Sequence, residues 1–424
     1  MITSLKKIQF FVSSQLSKTS KLDGRFLLLV ILFIYLAPIL ITLFSSTYPE
    51  SYTHSLIYYP LVPKLLPPFA DMRVITAGAE CIRLGHDVLI ENPCDPWQRP
   101  MNYPRIWSIF ASLGINQGHT IALSVLCALI FFILFFLIIK KINYTESLLY
   151  ASILCSPSIM LAIERGNNDL IVFIILAIAL LIIERDKFYL DCLSMIMVIF
   201  ASIIKLYPVF AISVFLKMKR QKFVFFLIFA ITFFGTYIIY NFDNLKLISR
   251  ATPRSKHLSY GSKVIFDVLA DLDFTSYFRW ITPPIIILLL TSIVLVLLFA
   301  PNSNKMLNKF DDFDIQKISS FRIGCSIYIG TFFIGNNWDY RLIFLIFTIP
   351  QILLWIKSQN SLSMFSILAL IGIIMTSWLS RFDSRVYYLD EVINWLLFIF
   401  FTYTLFLTFP NWLKETVSLK FSKN

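Results

Sequence analysis

Between the first two apolar runs lies a long polar stretch, roughly Ser45 to Trp107, that holds Asp71-Met72-Arg73 and then Glu91-Asn92-Pro93-Cys94-Asp95-Pro96-Trp97-Gln98-Arg99. Connections in so apolar a chain are ordinarily a few residues long, and a loop of this length is usually there to carry a site. A carboxylate in such a loop can serve as a general base, taking the proton of a hydroxyl as its oxygen attacks. Asp71 is the first choice for that role, with Asp95 and Glu91 in reserve. The plainer reading is that Asp71 pairs with Arg73 or Arg105 and fixes the loop.

Three shorter clusters follow: Glu164-Arg165-Gly166-Asn167-Asn168-Asp169, Lys205-Leu206-Tyr207-Pro208 and Gly335-Asn336-Asn337-Trp338-Asp339-Tyr340-Arg341. Asparagine and aspartate are good helix N-caps, Glu164 can pair with Arg165, Lys205 can snorkel, and Asp339 with Arg341 is an ion-pair candidate. Those readings stand beside a functional one. Three helix starts carrying Arg165, Lys205 and Arg341 would form a cradle for a phosphate, because helix N-termini and the arginine fork both favour anions.

The elements that must position these groups are membrane spans. A chain of 424 residues that is 58% apolar, with mean hydropathy +0.75, leaves almost no room for a soluble domain. Apolar runs fall near 26–44, 118–139, 147–163, 169–184, 188–204, 206–216, 222–240, 281–300, 318–335, 341–356, 361–379 and 392–410, about twelve in all. The 206–216 run is short for a crossing and reads equally as half of a broken helix. The expected division is a cytoplasmic segment 1–25, a transmembrane domain 26–410 whose outer loops 45–107 and 241–280 form the site, and a basic cytoplasmic tail 411–424. Alternating topology then puts most lysines inside, among them Lys140, Lys141, Lys217 and Lys357, as the positive-inside rule expects. Arginines such as Arg73, Arg99, Arg165, Arg254 and Arg341 fall outside together with every polar cluster, either paired with acids on that face or serving an anionic ligand.

No Gly-rich phosphate loop, His-Glu-x-x-His, Cys-x-x-Cys or nucleophile elbow is present, which disfavours a soluble nucleotide-sugar or ATP mechanism. His86 and His257 lack metal-ligand spacing. Cys81 and Cys94 share the first outer loop and can form a disulfide in an oxidising exterior, worth roughly 3 kcal/mol in the chain-entropy model. Cys127, Cys155, Cys192 and Cys325 lie in apolar runs as packing residues. Tryptophans near the outer boundary fit an aromatic belt, while Tyr103, Trp107 and Trp338 are alternatives for stacking on a sugar.

Asp71, the later Asn102-Tyr103-Pro104, the Glu164 to Asp169 cluster and Lys205 to Pro208, in that order and on one side, resemble the polyprenol-phosphate-sugar-dependent glycosyltransferases of family 87, within the GT-C superfamily, which include mannosyltransferases of bacterial glycolipid synthesis. The resemblance implies an all-α, GT-C-like bundle in the bacterial inner membrane, with the active site on the outer face and the base, by position Asp71, in the first outer loop. It implies an inverting transfer of a hexose, mannose favoured, from a polyprenyl-phosphate carrier to a lipid or glycan acceptor. Arg165, Lys205, Arg254, Lys256 and Arg341 are then the candidates for the departing phosphate. Arg73, Asn102, Tyr103, Glu164, Asn167, Asn168, Asp169, Tyr207, His257, Asn337 and Asp339 complete the expected substrate site. Some superfamily members carry two adjacent acids where this chain has Asp71-Met72, so neither a metal nor a cofactor is expected. Two other classes remain open. A transporter or flippase of lipid-linked sugars would place ionisable groups near the bilayer midplane. An O-antigen-polymerase or ligase type of enzyme would need an essential arginine or histidine in the largest late outer loop and no essential carboxylate in the first.

Overall fold

The computed structural model describes residues 2–17, 23–44, 65–183, 187–255, 258–264, 289, 292–293, 314–359, 362–379 and 386–414. Among these, Gln117–Ile138, Arg220–Tyr240, Asp339–Lys357 and Tyr388–Leu407 are long and apolar enough to cross a membrane. Five shorter apolar helices accompany them, Gly24–Ala37, Asn168–Ile183, Phe188–Ile204, Tyr207–Lys217 and Ser363–Leu379. Among the described residues the architecture is helical apart from one short antiparallel bridge. The run expected at 281–300 lies outside the described residues, apart from single positions.

Proline and glycine explain where the helices depart from the expected spans. The run at 147–163 is two helices, Tyr144–Leu154 and Pro157–Arg165, bent by 54°. Ser156 before Pro157 is extended, at φ −70° and ψ 152°, because a proline ring crowds a helical predecessor. The doubtful run at 206–216 is a 3-10 helix, Tyr207–Lys217, of 11 residues. At about 2.0 Å rise per residue it reaches roughly 22 Å, appreciably farther than an α-helix of equal length. A second 3-10 segment, Asp339–Thr348, runs straight on into Ile349–Lys357. Both 3-10 segments pack against the helix Ile315–Ile334. Gly324 permits one of these approaches: a Cβ there would lie 2.5 Å from the Phe344 carbonyl oxygen.

Aromatic rings fill the centre. Phe173 stacks on Phe347 at 4.4 Å and meets Phe131 edge-on at 4.8 Å, while Tyr207 meets Phe344 at 5.6 Å. Outward, Leu126, Leu129, Ile133 and Leu137 are all exposed along the helix Thr120–Ile138. Their spacing puts them on one stripe, a surface suited to lipid.

One expectation is corrected here. Asp71 lies not in a loop but in the first turn of a helix, Ala70–Arg83. A carboxylate at that position is favoured by the helix dipole. The segment still belongs to the polar stretch, but its apolar positions pack inward, with Met72, Val74, Ile75 and Ala79 buried.

Lys205 and Tyr207 stand at one end of the Tyr207–Lys217 segment, with Lys217 at the other. Asn337 follows the far end of Ile315–Ile334, with Asp314 capping its start. The helices therefore have two polar ends: one with Asp71, Asn167, Lys205 and Arg341, and one with Lys140, Lys217 and Asp314.

Candidate active site

The site is assembled around Asn167. The helix Pro157–Arg165 ends at Gly166, whose φ of 56° is left-handed. A Cβ at Gly166 would come within 2.6 Å of Ser124 Oγ and 3.1 Å of Met72 Cβ. Glycine thus supplies both the turn and the close approach to the Asp71 helix. Asn167 then caps the helix Asn168–Ile183, its Oδ1 accepting the Asp169 amide at 2.9 Å. The capping reading therefore holds for Asn167, though not for Asn168. The same side chain does more: Asn167 Nδ2 donates to Asp71 Oδ2 at 2.5 Å, and Asn167 Oδ1 accepts from Lys205 Nζ at 2.9 Å.

Lys205 reaches this point because the helix Phe188–Ile204 stops there. Its backbone is extended, at φ −156° and ψ 119°, and Pro208 opens the next segment. The ammonium pairs with Asp169 Oδ1, which also accepts the Tyr207 hydroxyl at 2.7 Å. Asp169 Oδ2 faces Arg341 Nε at 3.9 Å. Arg341 also donates to Asn337 Oδ1 and lies over the Tyr207 ring at 4.9 Å. Arg341, expected as a partner for Asp339, thus lies against Asp169 instead. Tyr103 and Tyr340 flank Lys205, their ring centres 5.6 and 5.3 Å from Nζ.

The electrostatic arrangement is one fully buried carboxylate, Asp169, balancing two cations, with a half-buried carboxylate, Asp71, held beside them. Among the described residues Asp71 makes no hydrogen bond through its other oxygen, Oδ1. Burial, reinforced by the charge of Asp71, pushes the Tyr103 phenol well above its usual range. Tyr103 is therefore a neutral hydroxyl at physiological pH and can donate to a ligand oxygen.

The Asp71 helix is braced from the following loop. Arg99 pairs in a two-pronged fashion with Asp95, Nε to Oδ2 and Nη2 to Oδ1, both at 3.0 Å. Arg99 Nη2 also donates to the Ala70 carbonyl at 2.7 Å, one residue before Asp71. Asp95, a reserve candidate for the base, is thereby committed to structure. Cys81 and Cys94 are bonded, with Cα atoms 5.7 Å apart, and tie the same helix to the same loop. Arg105 binds Asp87 at 2.8 Å, not Asp71, and its hydrogen bond holds the Asp87 carboxyl below the usual range.

Other expected residues do not join the cluster. Arg73 is buried and folds back to donate to the Pro68 carbonyl at 3.3 Å. Asn102 is half-buried beside Tyr103, with no side-chain hydrogen bond among the described residues. Glu164 pairs with Arg165 at 3.1 Å and accepts the Leu65 amide at 3.2 Å. Asn168 is fully buried beside Asn167, and neither polar atom of its side chain has a hydrogen-bond partner among the described residues. Arg254 is exposed; nearby, Trp338 Nε1 donates to Pro253 O at 2.9 Å. Asp339 is buried, and its amide donates to Leu258 O at 2.9 Å beside the bridge that pairs Ser259 with Trp338. Lys256 and His257 lie outside the described residues.

Sequence reasoning missed Tyr340 and Arg99. Tyr340 stands between the singled-out Asp339 and Arg341, and Arg99 follows Asp95 at the i+4 spacing of an ion pair. Those were the signals available. No group of histidine, cysteine or carboxylate side chains suited to a metal occurs among the described residues.

No curated protein and no solved structure matches the chain. Residues 107–249 are similar to the model of Glycosyltransferase family 87, a likeness confined to that stretch of the chain.

Proposed function

We propose that the protein transfers a hexose, mannose favoured, from a polyprenyl-phosphate carrier to a lipid or glycan acceptor, with inversion, at the outer face of a bacterial inner membrane. Asp71 is the base in this reading. The observation that carries it is the double engagement of Asn167, which binds Asp71 through its amide nitrogen and Lys205 through its oxygen. One side chain thereby fixes a proton acceptor relative to a cation, and positioning of that kind supplies much of an enzyme's rate.

In the reaction the acceptor oxygen forms its bond to the anomeric carbon while its proton passes to Asp71 Oδ1. The bond from that carbon to the phosphate oxygen breaks, and the electron pair leaves with the phosphate. Lys205 and Arg341 stabilise the negative charge that develops there, and Tyr103 and Tyr340 donate hydrogen bonds to the sugar or the phosphate. Asp169 keeps both cations charged and in place when the site is dry.

The test is transfer of radiolabelled sugar from a panel of polyprenyl-phosphate donors in membranes, comparing the parent with Asp71→Asn. The substitution keeps shape and can still accept from Asn167. General-base assistance is typically worth ~10²–10⁴ in rate, so transfer should drop at least about a hundredfold at equal protein level. Transfer by Asp71→Asn at the parent's rate would refute the assignment of the base.

A further inference from the structure

At the end of the helices opposite Asp71 lies a cavity of about 670 Å³, whose lining includes Lys140, Lys217, Asp314, Gln316 and Arg322. Its size is that of a small-molecule site. Arg322 is the unusual member, since it sits inside the helix Ile315–Ile334 and is only 5% exposed. Its guanidinium donates to the hydroxyl and carbonyl oxygens of Thr408, and no carboxylate pairs with it among the described residues. Lys414, which donates to the Leu407 carbonyl at 2.9 Å, lies close enough for the two charges to repel.

The acids at this end are already shared. Asp314 Oδ2 lies 3.7 Å from Lys140 Nζ and 3.5 Å from Lys317 Nζ. Lys217 donates to the Ile183 carbonyl, with Asp191 at 3.9 Å. Among the described residues, positive charge therefore exceeds negative around the cavity. Burying a guanidinium without a counter-charge is costly, because its hydration is lost and nothing replaces it. An anion in the cavity would offset that cost, and the guanidinium has five N–H donors, more than Thr408 takes up. Leu216, Ile318, Ser319 and Pro410 complete the wall, and Ile315 at the edge is 62% exposed. The cavity thus joins cations to an apolar rim that opens onto the outside of the bundle.

We propose that this cavity binds a net-anionic phosphate group, carried by a lipid headgroup or free in solution, with Arg322 and Lys217 as its principal ligands. The site is distinct from the one containing Asp71, and the inference does not depend on the transferase reading. The arginine fork matches phosphate oxygens in two-pronged fashion, and basic pockets between spanning helices are suited to anionic headgroups.

The experiment is thermal unfolding of the full chain in neutral detergent, titrated separately with phosphatidylglycerol, phosphatidylcholine of matched chains, and inorganic phosphate. Parent, Arg322→Met, Lys217→Met and the exposed control Arg250→Met are compared. Phosphatidylglycerol should raise the parent and control midpoints saturably, with phosphatidylcholine far weaker. A response to inorganic phosphate alone would support the site and identify a free anion as sufficient. Arg322→Met should unfold no earlier than the parent without lipid, because a buried charge is gone, yet need at least about fivefold more phosphatidylglycerol for half its shift. Lys217→Met should weaken the response similarly and carries the test if Arg322→Met does not fold. Equal shifts with both lipids and none with phosphate, or variants that respond like the parent, would overturn the proposal.

Discussion

Replacing Asp169 by asparagine should destabilise the protein, and removing Lys205 as well should recover much of the loss. Asp169 is fully buried, pairs with Lys205, accepts the Tyr207 hydroxyl at 2.7 Å and faces Arg341 at 3.9 Å. The Lys205 and Arg341 side chains are only 11% and 18% exposed. Asparagine can still accept from the tyrosine but leaves two cations facing one another, with half-buried Asp71 the nearest remaining acid of the cluster. Breaking a buried pair from one side costs about 3–5 kcal/mol, most of it the penalty of the charge left behind. Asp169→Asn should therefore lower the thermal midpoint in detergent by several degrees. Asp169→Asn with Lys205→Met should lie above the single variant, because one orphaned charge has gone. Sugar transfer should not recover in the double variant, since the proposed reaction uses Lys205 at the departing phosphate. An Asp169→Asn midpoint within about 1 °C of the parent, or a double variant no more stable than the single, would refute the charge-balance argument.

Three further outcomes follow from the bracing of the Asp71 helix. Arg99→Lys loses the planar fork that joins Asp95 to the Ala70 carbonyl; hydrogen bonds involving charged groups contribute about 1.5–3 kcal/mol, so initial transfer rates should fall about tenfold with protein level unchanged. Reduction of the Cys81–Cys94 bond, which spans 13 residues, should cost roughly 3 kcal/mol, lowering the parent's midpoint in dithiothreitol while a Cys81→Ser, Cys94→Ser chain is indifferent to reductant. Asp87 is held below its usual range by the Arg105 hydrogen bond, so its contribution is present above the unfolded carboxyl value near ~3.9 and is lost as pH falls through the lower folded one. The pair is 44% and 40% exposed, so the effect is below about 1 kcal/mol. The small midpoint gap between parent and Asp87→Asn should hold from pH 7 to 5 and close below about pH 4.

Composition and local pattern determined a good deal by themselves. The apolar runs located apolar helices, four of which are long enough to cross a membrane among the described residues, because hydropathy is a sum over adjacent residues, and most observed boundaries lie close to those runs. Asn167 was legible as a cap because capping involves only the next few residues. The Cys81 and Cys94 pairing was accessible for a similar reason, their separation being short. The Asp71 helix was not, since Ala70–Arg83 is only 14 residues long and intersperses Asp71, Arg73, Glu80 and Arg83 among its apolar residues, so it does not read as a span.

Only the tertiary structure decided which polar groups meet. Asp71 and Asn167 are 96 residues apart in the chain, and Asn167 and Lys205 are 38 apart; their contact depends on Gly166 letting two helices close on each other. Arg341 found Asp169 where sequence suggested Asp339, because residues two apart on a helical segment point to different sides. Arg73 turned back on Pro68, and Arg322, unremarkable in the sequence, became a buried cation beside a cavity. Sequence spacing fixes neighbours along one element. Which charges share a dry interior, and therefore must balance, is set by how the elements pack.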